Sequence, residues 1–476
     1  MNATKLSTGL LCACLSLSLP LAAQAATDDV PSNSELYQML LDLQKENERL
    51  KGEAMSPEAG GVPDTYDESK PVGKQAVPLN AKHEMGYLSF ESADGNIKYW
   101  LDGRIMLDTG TVSNSKDGVD ENAVYSETEF RRLRLAIKGI FYKNWEGELD
   151  LNFADLEDGV TAAEVKDAWV AYRGFPNTII KVGNHKPHFS MDEVTTSRWV
   201  NLIERSMISD VFSPGRRIGV SVSNWRDAYT VGATVFGDEY NVEAAREGAS
   251  ERFGWTARGV YRPIVSADGS TILHLGVAYQ HRPTQSDDDR LRFRTRAESK
   301  IYRVFGPDDD GERYLNTGRF DADSADTLGL EAAFKKGRFY AQAEYMKTDV
   351  AENDDDVLGD PEFSGWYVNA AYFLSGGERE YSLYDGEFGK VYPTSNKGAW
   401  EVVLRYSTLD LNDLDAGIEG GSAKNITLGL NWYINNNFIL RANYVSADND
   451  IYADNDGDFV GDDDLDILGV RFHYMF

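Results

Sequence analysis

The run Asp464–Phe476 (DLDILGVRFHYMF) constrains this chain more than any other stretch. Leu468, Val470, Phe472, Tyr474 and Phe476 alternate with Gly469, Arg471, His473 and Met475. Period two is the spacing of a strand with one apolar face. A strand of a soluble sandwich has the same spacing, so the rest of the chain must decide. From about Gly95 onward the alternation recurs, in segments beginning at Ile97, Glu127, Trp145, Val165, Thr178, Arg217, Ala228, Arg252, Thr271, Thr327, Arg338, Ser364, Ala399, Asn425, Asn437 and Asp464. Lys336-Gly337-Arg338 and Asn435-Asn436-Asn437 read as tight turns between neighbours. About sixteen strands is an even number, which suits a closed bacterial barrel with short turns on its periplasmic side.

Composition favours that reading over a soluble one. After Ala25 no stretch is apolar and long enough to cross a bilayer as a helix. The 25 Tyr, 21 Phe and 9 Trp suit aromatic girdles at two membrane interfaces. A final strand closing on an aromatic residue resembles the assembly signal of outer-membrane barrels. Met1–Ala25 reads as a secretory signal, with Lys5, an apolar run and the small-x-small site Ala23-Gln24-Ala25. Both cysteines, Cys12 and Cys14, lie in it, so the mature chain cannot use disulfides. Within residues 26–53, Leu36, Leu43 and Leu50 recur every seven residues, with Leu40 and Asn47 between them. This pattern predicts a short periplasmic coiled-coil helix over Ser34–Lys51. Residues 54–94, with Pro57, Gly60, Gly61, Pro63, Pro71, Gly73 and Pro78, read as a linker. The expected fold is therefore all-β: a transmembrane antiparallel β-barrel of about 16 strands over residues 95–476, preceded by that short helix.

The formal charge is −30, much of it in turn-like acidic runs such as Asp308–Asp310, Asp354–Asp356 and Asp448–Asp466. These read as solvated loops, and one of them matches only part of a calcium-loop pattern, because Tyr452 stands at its first ligand position. No nucleic-acid footprint, phosphate loop, metal-ligand cluster or catalytic constellation stands out, so neither an enzyme nor a cofactor is expected.

Three basic features stand against the acidic background. In Asp289–Arg296, extended backbone puts Arg290, Arg292, Arg294 and Arg296 on one side and Leu291, Phe293 and Thr295 on the other. The segment reads either as a solvated loop neutralised by Asp287, Asp288 and Asp289 or as a ladder of anion contacts. In Phe130–Leu135 alternation turns Arg132 and Arg134 to the lumen and Arg131 to the apolar side, where it must lie at a strand end or snorkel. Glu146, Glu148 and Asp150 are candidate partners. The long connection Asn184–Arg216 carries His185, Lys186, His188, Arg198 and Arg205, with Trp199, Val200, Leu202 and Ile203 suited to burial. It reads as a loop folded inward, or as a contact between subunits.

Phe130–Trp145, Thr195–Arg205, Arg290–Arg296, Ala399–Tyr406, Leu428–Val445 and the last strand together resemble the phosphate-selective porin O/P family over roughly Ile97–Phe476. The resemblance implies an outer-membrane homotrimer of sixteen-stranded barrels amid lipid and lipopolysaccharide. Each barrel would have its own pore, an inward third loop and an arginine ladder feeding a central site for small anions such as phosphate or polyphosphate. Carried over, the ladder falls on Arg292, Arg294, Arg296 and Lys300, continuing from Arg290. The constriction falls on Arg132, Ser197, Arg198 and Arg205, with Arg131 and Arg134 beside them. Asn152 stands where the family has a carboxylate, and Glu146 and Glu193 where it has lysines. The expected function is a passive, anion-preferring channel. Its alternatives are a general or cation-leaning pore, and an envelope tether acting through the N-terminal helix.

Overall fold

The computed structural model describes residues 79–84, 87–113, 125–154, 163–237, 252–284, 289–301, 313–351, 359–453 and 461–476. The expected signal peptide, the coiled-coil helix and most of the linker lie outside these residues, as do Asp308–Asp310, Asp354–Asp356 and part of the calcium-like run.

In chain order the strands are β1 (Leu79–Glu84), β2 (Tyr87–Ser92), β3 (Ile97–Ser113), β4 (Tyr125–Phe141), β5 (Trp145–Asn152), β6 (Glu164–Phe175), β7 (Thr178–His185), β8 (Arg217–Arg226) and β9 (Tyr229–Phe236). Then come β10 (Gly254–Val265), β11 (Thr271–Pro283), β12 (Arg290–Leu291), β13 (Arg294–Thr295), β14 (Leu315–Asn316), β15 (Phe320–Asp321), β16 (Ser324–Lys336), β17 (Phe339–Ala351) and β18 (Glu362–Ser375). The last are β19 (Arg379–Ser382), β20 (Glu387–Val391), β21 (Ala399–Asp413), β22 (Ile418–Tyr433), β23 (Phe438–Asn449) and β24 (Asp464–Met475). Two short helices, α1 (Met191–Val194) and α2 (Met207–Phe212), lie between β7 and β8.

Sixteen of these strands form the barrel: β3–β11, β16–β18 and β21–β24, each antiparallel to its neighbours. β24 closes the ring on β3 through a register running from Asp466↔Ser113 to Met475↔Arg104. The expected strand starts fall on or within a few residues of the observed ones, because every wall strand must satisfy lipid on one face and water on the other. Outward Leu404, Ile426, Leu428 and Leu468 are more than half exposed, while their inward neighbours Arg405, Thr427 and Asn425 are buried. The sequence reading started one strand at Asn425; it begins earlier, at Ile418, because its outer end continues past a polar stretch to a tight turn.

One end of the barrel carries short turns, at 142–144, 176–177, 227–228, 266–270, 337–338 and 434–437, which mark the periplasmic side. Here Phe476 and Gly103 exchange backbone hydrogen bonds of 2.9 and 3.1 Å. The Phe476 ring lies on Gly103, where a Cβ would come within 2.2 Å of it. Residues 79–92, read from the sequence as part of the linker, form the β1–β2 hairpin, and β2 pairs with the foot of β3 below this closure.

Three connections fold inward. The β7–β8 connection (186–216) crosses the lumen, the β11–β16 connection lays the paired strands β12–β15 and β13–β14 against the inner wall, and the periplasmic β18–β21 connection sends in the β19–β20 hairpin. Together they fill the lumen with the two buried apolar clusters, one around Phe212, Phe293 and Phe363, the other around Tyr340, Phe373 and Phe388.

Candidate functional site: the lumen and its constriction

On β4 the pairing with β3 slips by one residue: Met106 faces Arg132, yet Leu107 faces Phe130. Arg131 is the extra residue of a β-bulge, a device that re-aims side chains. Phe130 therefore points out to lipid while Arg131 and Arg132 both turn inward. This corrects the alternation argument, which put Arg131 on the apolar side. Arg131 grips Glu204 with Nε at 2.8 Å and Nη2 at 3.2 Å. Arg132 stands 3.7 Å from the same carboxylate, and Arg134 stands 3.6 Å from Asp150. The Nε groups of Arg132 and Arg134 are buried without a protein acceptor, so each keeps a donor unspent.

The 186–216 loop is held across the lumen by its backbone. Wall side chains donate to loop carbonyls, Arg441 to Arg198 at 3.3 Å, Asn431 to Asn201 at 2.6 Å, Arg471 to Ile203 at 2.6 Å and Arg405 to Glu204 at 3.0 Å, and Arg379 of the inward β19–β20 hairpin donates to Trp199. Buried carbonyls must be satisfied, and guanidiniums do so strongly. The loop also closes on itself, with the Asp192 carboxylate accepting from the Ser206 N–H and hydroxyl at 3.0 and 3.1 Å. Of its candidate residues, Arg198 is paired to Asp102 of β3 and lines neither chamber described below, whereas Ser197 and Arg205 do line the path. Arg205 spends Nε on the Asp192 carbonyl at 2.8 Å and lies 3.5 Å from Glu193. Glu193, which stands where the family's lysine was expected, is also 3.1 Å from Lys186. Burial alone would raise the Glu193 carboxyl, but Lys186 and Arg205 hold it below its ordinary value. Burial beside Arg205 pushes the Lys186 ammonium down to about 7.

The arginine ladder is not part of a wall strand. It lies on β12 and β13 of the inward hairpin, where Leu291, Phe293 and Thr295 are buried against the wall and against α2. Phe293 lies 6.0 Å from Phe212 and 5.3 Å from Phe363. That packing leaves Arg290 exposed and Arg292, Arg294 and Arg296 half-buried on the other side. Arg292 donates to Asn316 at 2.8 Å, and the Thr295 hydroxyl donates to Asp210 of α2 at 3.0 Å. The hairpin is fastened by Glu298, which accepts from Arg405 at 2.6 and 3.0 Å, Ser407 at 2.5 Å and Thr427 at 3.0 Å. Arg313, on the returning arm, adds a charge that the sequence reading missed. Burial, then Arg296 and Arg294, push its guanidinium down to about 10.

These elements leave two chambers. The outer one, about 190 Å³, is lined by Arg131, Arg132, Arg205, Arg296 and Lys300 against Glu193, Glu204, Asp210 and Glu298. The inner one, about 340 Å³, adds Arg134, Lys138, Lys166, Lys181, Lys186 and Arg216 against Glu148, Asp167 and Asp385. Arg131, Arg132, Arg205 and Glu193 line both. Among the described residues the inner chamber has nine basic side chains and four acidic ones, in a chain whose net charge is −30.

Glu148, Asp150 and Asp167 could bring carboxylate oxygens within 4.8 Å of one another, but Lys138, Arg104 and Arg216 already lie at 3.1, 3.3 and 2.8 Å from them. Of the acids proposed from the sequence as partners, Asp150 meets Arg134, Glu148 meets Lys138, and Glu146 sits apart, 2.9 Å from Arg173. Asn152, in the family's carboxylate position, accepts from the Leu133 N–H at 3.3 Å. The sequence reading missed the inward Lys138, Lys166, Lys181 and Arg216. Lys138 and Lys181 stand beside the lipid-facing Ile137 and Val182, a signal that was present but weak on its own, whereas Arg216 ends the loop just before β8 and had no such neighbour.

The profile of the family described as Phosphate-selective porin O and P matches residues 100–476. Porin O of Pseudomonas aeruginosa is 27% identical over 423 residues, covering 82% of this chain and 91% of the relative. A protein of Caulobacter vibrioides is 31% identical over 448 residues, covering 88% and 85%. An anion-selective porin from Comamonas acidovorans superposes with a TM-score of 0.49 at 14% identity, covering 80% of this chain and all of that one. With a closed sixteen-stranded barrel, an inward-folded loop and this profile over most of its length, the chain belongs to the phosphate-selective porin O and P family and is an outer-membrane porin channel.

Proposed function

We propose that this porin is a passive, homotrimeric channel for small hydrophilic anions, phosphate among them, and not an enzyme. One observation carries the reading: the residues that line both chambers are Arg131, Arg132 and Arg205 with Glu193, three cations to one carboxylate, and Glu204 beside the first two leaves the cations in excess. A narrow pore replaces part of an ion's hydration by side-chain contacts, so the sign of that excess sets the preference. Arg132 and Arg134 support this with unspent donors suited to phosphate oxygens. On this reading residues 1–25 are removed on export, the helix over 26–53 lies in the periplasm, residues 54–78 link it to the β1–β2 hairpin, and lipid and lipopolysaccharide surround the wall.

A general pore is the second reading, favoured by the pairing of Arg131 with Glu204 and of Arg134 with Asp150. The reversal potential of the purified protein in a planar bilayer under a salt gradient separates the two. An anion-selective potential is expected, roughly halved by Arg132→Ala with Arg134→Ala. A potential near zero or of cation sign would mean that the acidic partners prevail.

A further inference from the structure

The two chambers differ in more than charge. The outer one is lined by no aromatic ring, whereas the inner one is lined by Trp169, Tyr384, His185 and His188. Trp169 sits on the lumen phase of β6, between the outward Ala168 and the outward, half-exposed Val170. In a barrel, tryptophan belongs to the girdles at the lipid interface, and an indole turned to the aqueous lumen gains nothing from lipid. Its cross-strand neighbours on β5 and β7 are Glu148 and Gly183, and Gly183 in turn faces Gly219 on β8. The next two positions of that inner row therefore carry no side chain to cover the ring. Lys181 places its ammonium 4.3 Å from the ring centroid, so a cation and a flat π surface stand together in the basic chamber. Tyr384 reaches the same chamber from the periplasmic hairpin, braced by Trp225 with ring centroids 4.8 Å apart.

We propose that the inner chamber is a subsite for organic anions bearing a flat π face, of the aryl phosphate or aryl carboxylate class. The ring stacks on Trp169, and the anionic group meets the ammonium groups of Lys181 and Lys186. This rests on the anion-channel reading and adds a substrate class to it. Inorganic phosphate uses only the charges; an aryl phosphate uses the charges and the indole.

The test uses the purified full-length channel in a planar bilayer, with chloride current titrated by inorganic phosphate and by phenyl phosphate. Phenyl phosphate should half-block at about a five- to tenfold lower concentration, the worth of one aromatic contact. Trp169→Ala should bring the two concentrations together by weakening phenyl phosphate alone, and Trp169→Phe should keep most of the difference. Equal potency of the two anions on the unaltered channel would overturn the subsite. So would a Trp169→Ala channel that still favours phenyl phosphate, which would leave Trp169 as packing for Lys181. The reversal potential, recorded in the same bilayers, tells the failures apart: a cation-selective channel removes the anion reading itself, while an anion-selective channel indifferent to the ring removes only this inference.

Discussion

At the scale of single residues, one inserted position decides which guanidiniums enter the lumen. Without the bulge at Arg131, strict alternation would turn that guanidinium to lipid, where charge is costly. With it, two consecutive arginines meet one carboxylate, Glu204, which Arg131, Arg132 and Arg471 hold ionised. Titration near neutrality falls to other groups. Lys186 is pushed down to about 7 by burial and Arg205, so it loses its positive charge as pH rises through that value. Burial raises Asp385 to about 6, and burial with Asp385 raises Glu387 to about 8, so both gain negative charge over the same span. All three changes act in one direction. Anion preference, read as reversal potential, should fall as pH goes from about 5.5 to about 9. Lys186→Arg, which stays charged, should retain more of it at the alkaline end; a flat pH profile would exclude these groups from the path. The bulge was not legible in the chain, because it exists only in how β4 pairs with β3. Arg132 and Arg134 were legible, since their phase is fixed by the lipid-facing Leu135 and Ile137.

At the scale of elements, the inward loops are held by the wall more than by themselves. Glu298 is the clearest case: buried, at a left-handed φ of 54°, and gripped by Arg405, Ser407 and Thr427. Strain of this kind persists only where surroundings over-determine it. Arg405→Leu would leave Glu298 buried without its cation, a loss of about 3–5 kcal/mol. The expected result is a lower unfolding temperature and noisier open-channel current, with Glu298→Gln milder on both counts. An unchanged unfolding temperature would show that the hairpin needs no such anchor. Wall positions such as Arg405, Arg441 and Arg471 stand in the sequence as single arginines on the polar phase of strong strands. Their roles were hidden because their targets are loop carbonyls more than two hundred residues away in the chain. The arginine ladder was legible as a one-sided extended segment. Its place on an inner hairpin was not, since period two fits a wall strand and a loop hairpin equally well.

At the scale of the whole molecule, the outward aromatics are uneven. Toward the outer end, Trp255, Tyr279, Tyr345, Trp366, Tyr406 and Tyr444 form a belt over β10–β23. Over β6–β9 the same level carries Val182, Ile218, Val220 and Val235. Tryptophan and tyrosine mark lipid headgroups, so a face lacking them suits contact with another subunit. In a chain whose only cysteines are Cys12 and Cys14, a fluorophore on Val220→Cys should be shielded from brominated lipid, and one on Leu428→Cys should be quenched. Equal quenching would show that this face meets lipid and no subunit. The seam between β3 and β24 has a further consequence. Its fastening, Arg471 to Asp108 at 2.6 Å, joins residues 363 positions apart, while nearly every other wall pairing joins immediate neighbours in the chain. Fourteen intervening strands can zip in succession, yet the edge of β24 and that of β3 above its pairing with β2 stay raw until these two meet. Closure of the ring thus waits on the last strand in the chain. A sheet that lacks only β24 encloses no pore and keeps a raw edge open to wrong partners, so the last strand is the one the channel cannot do without.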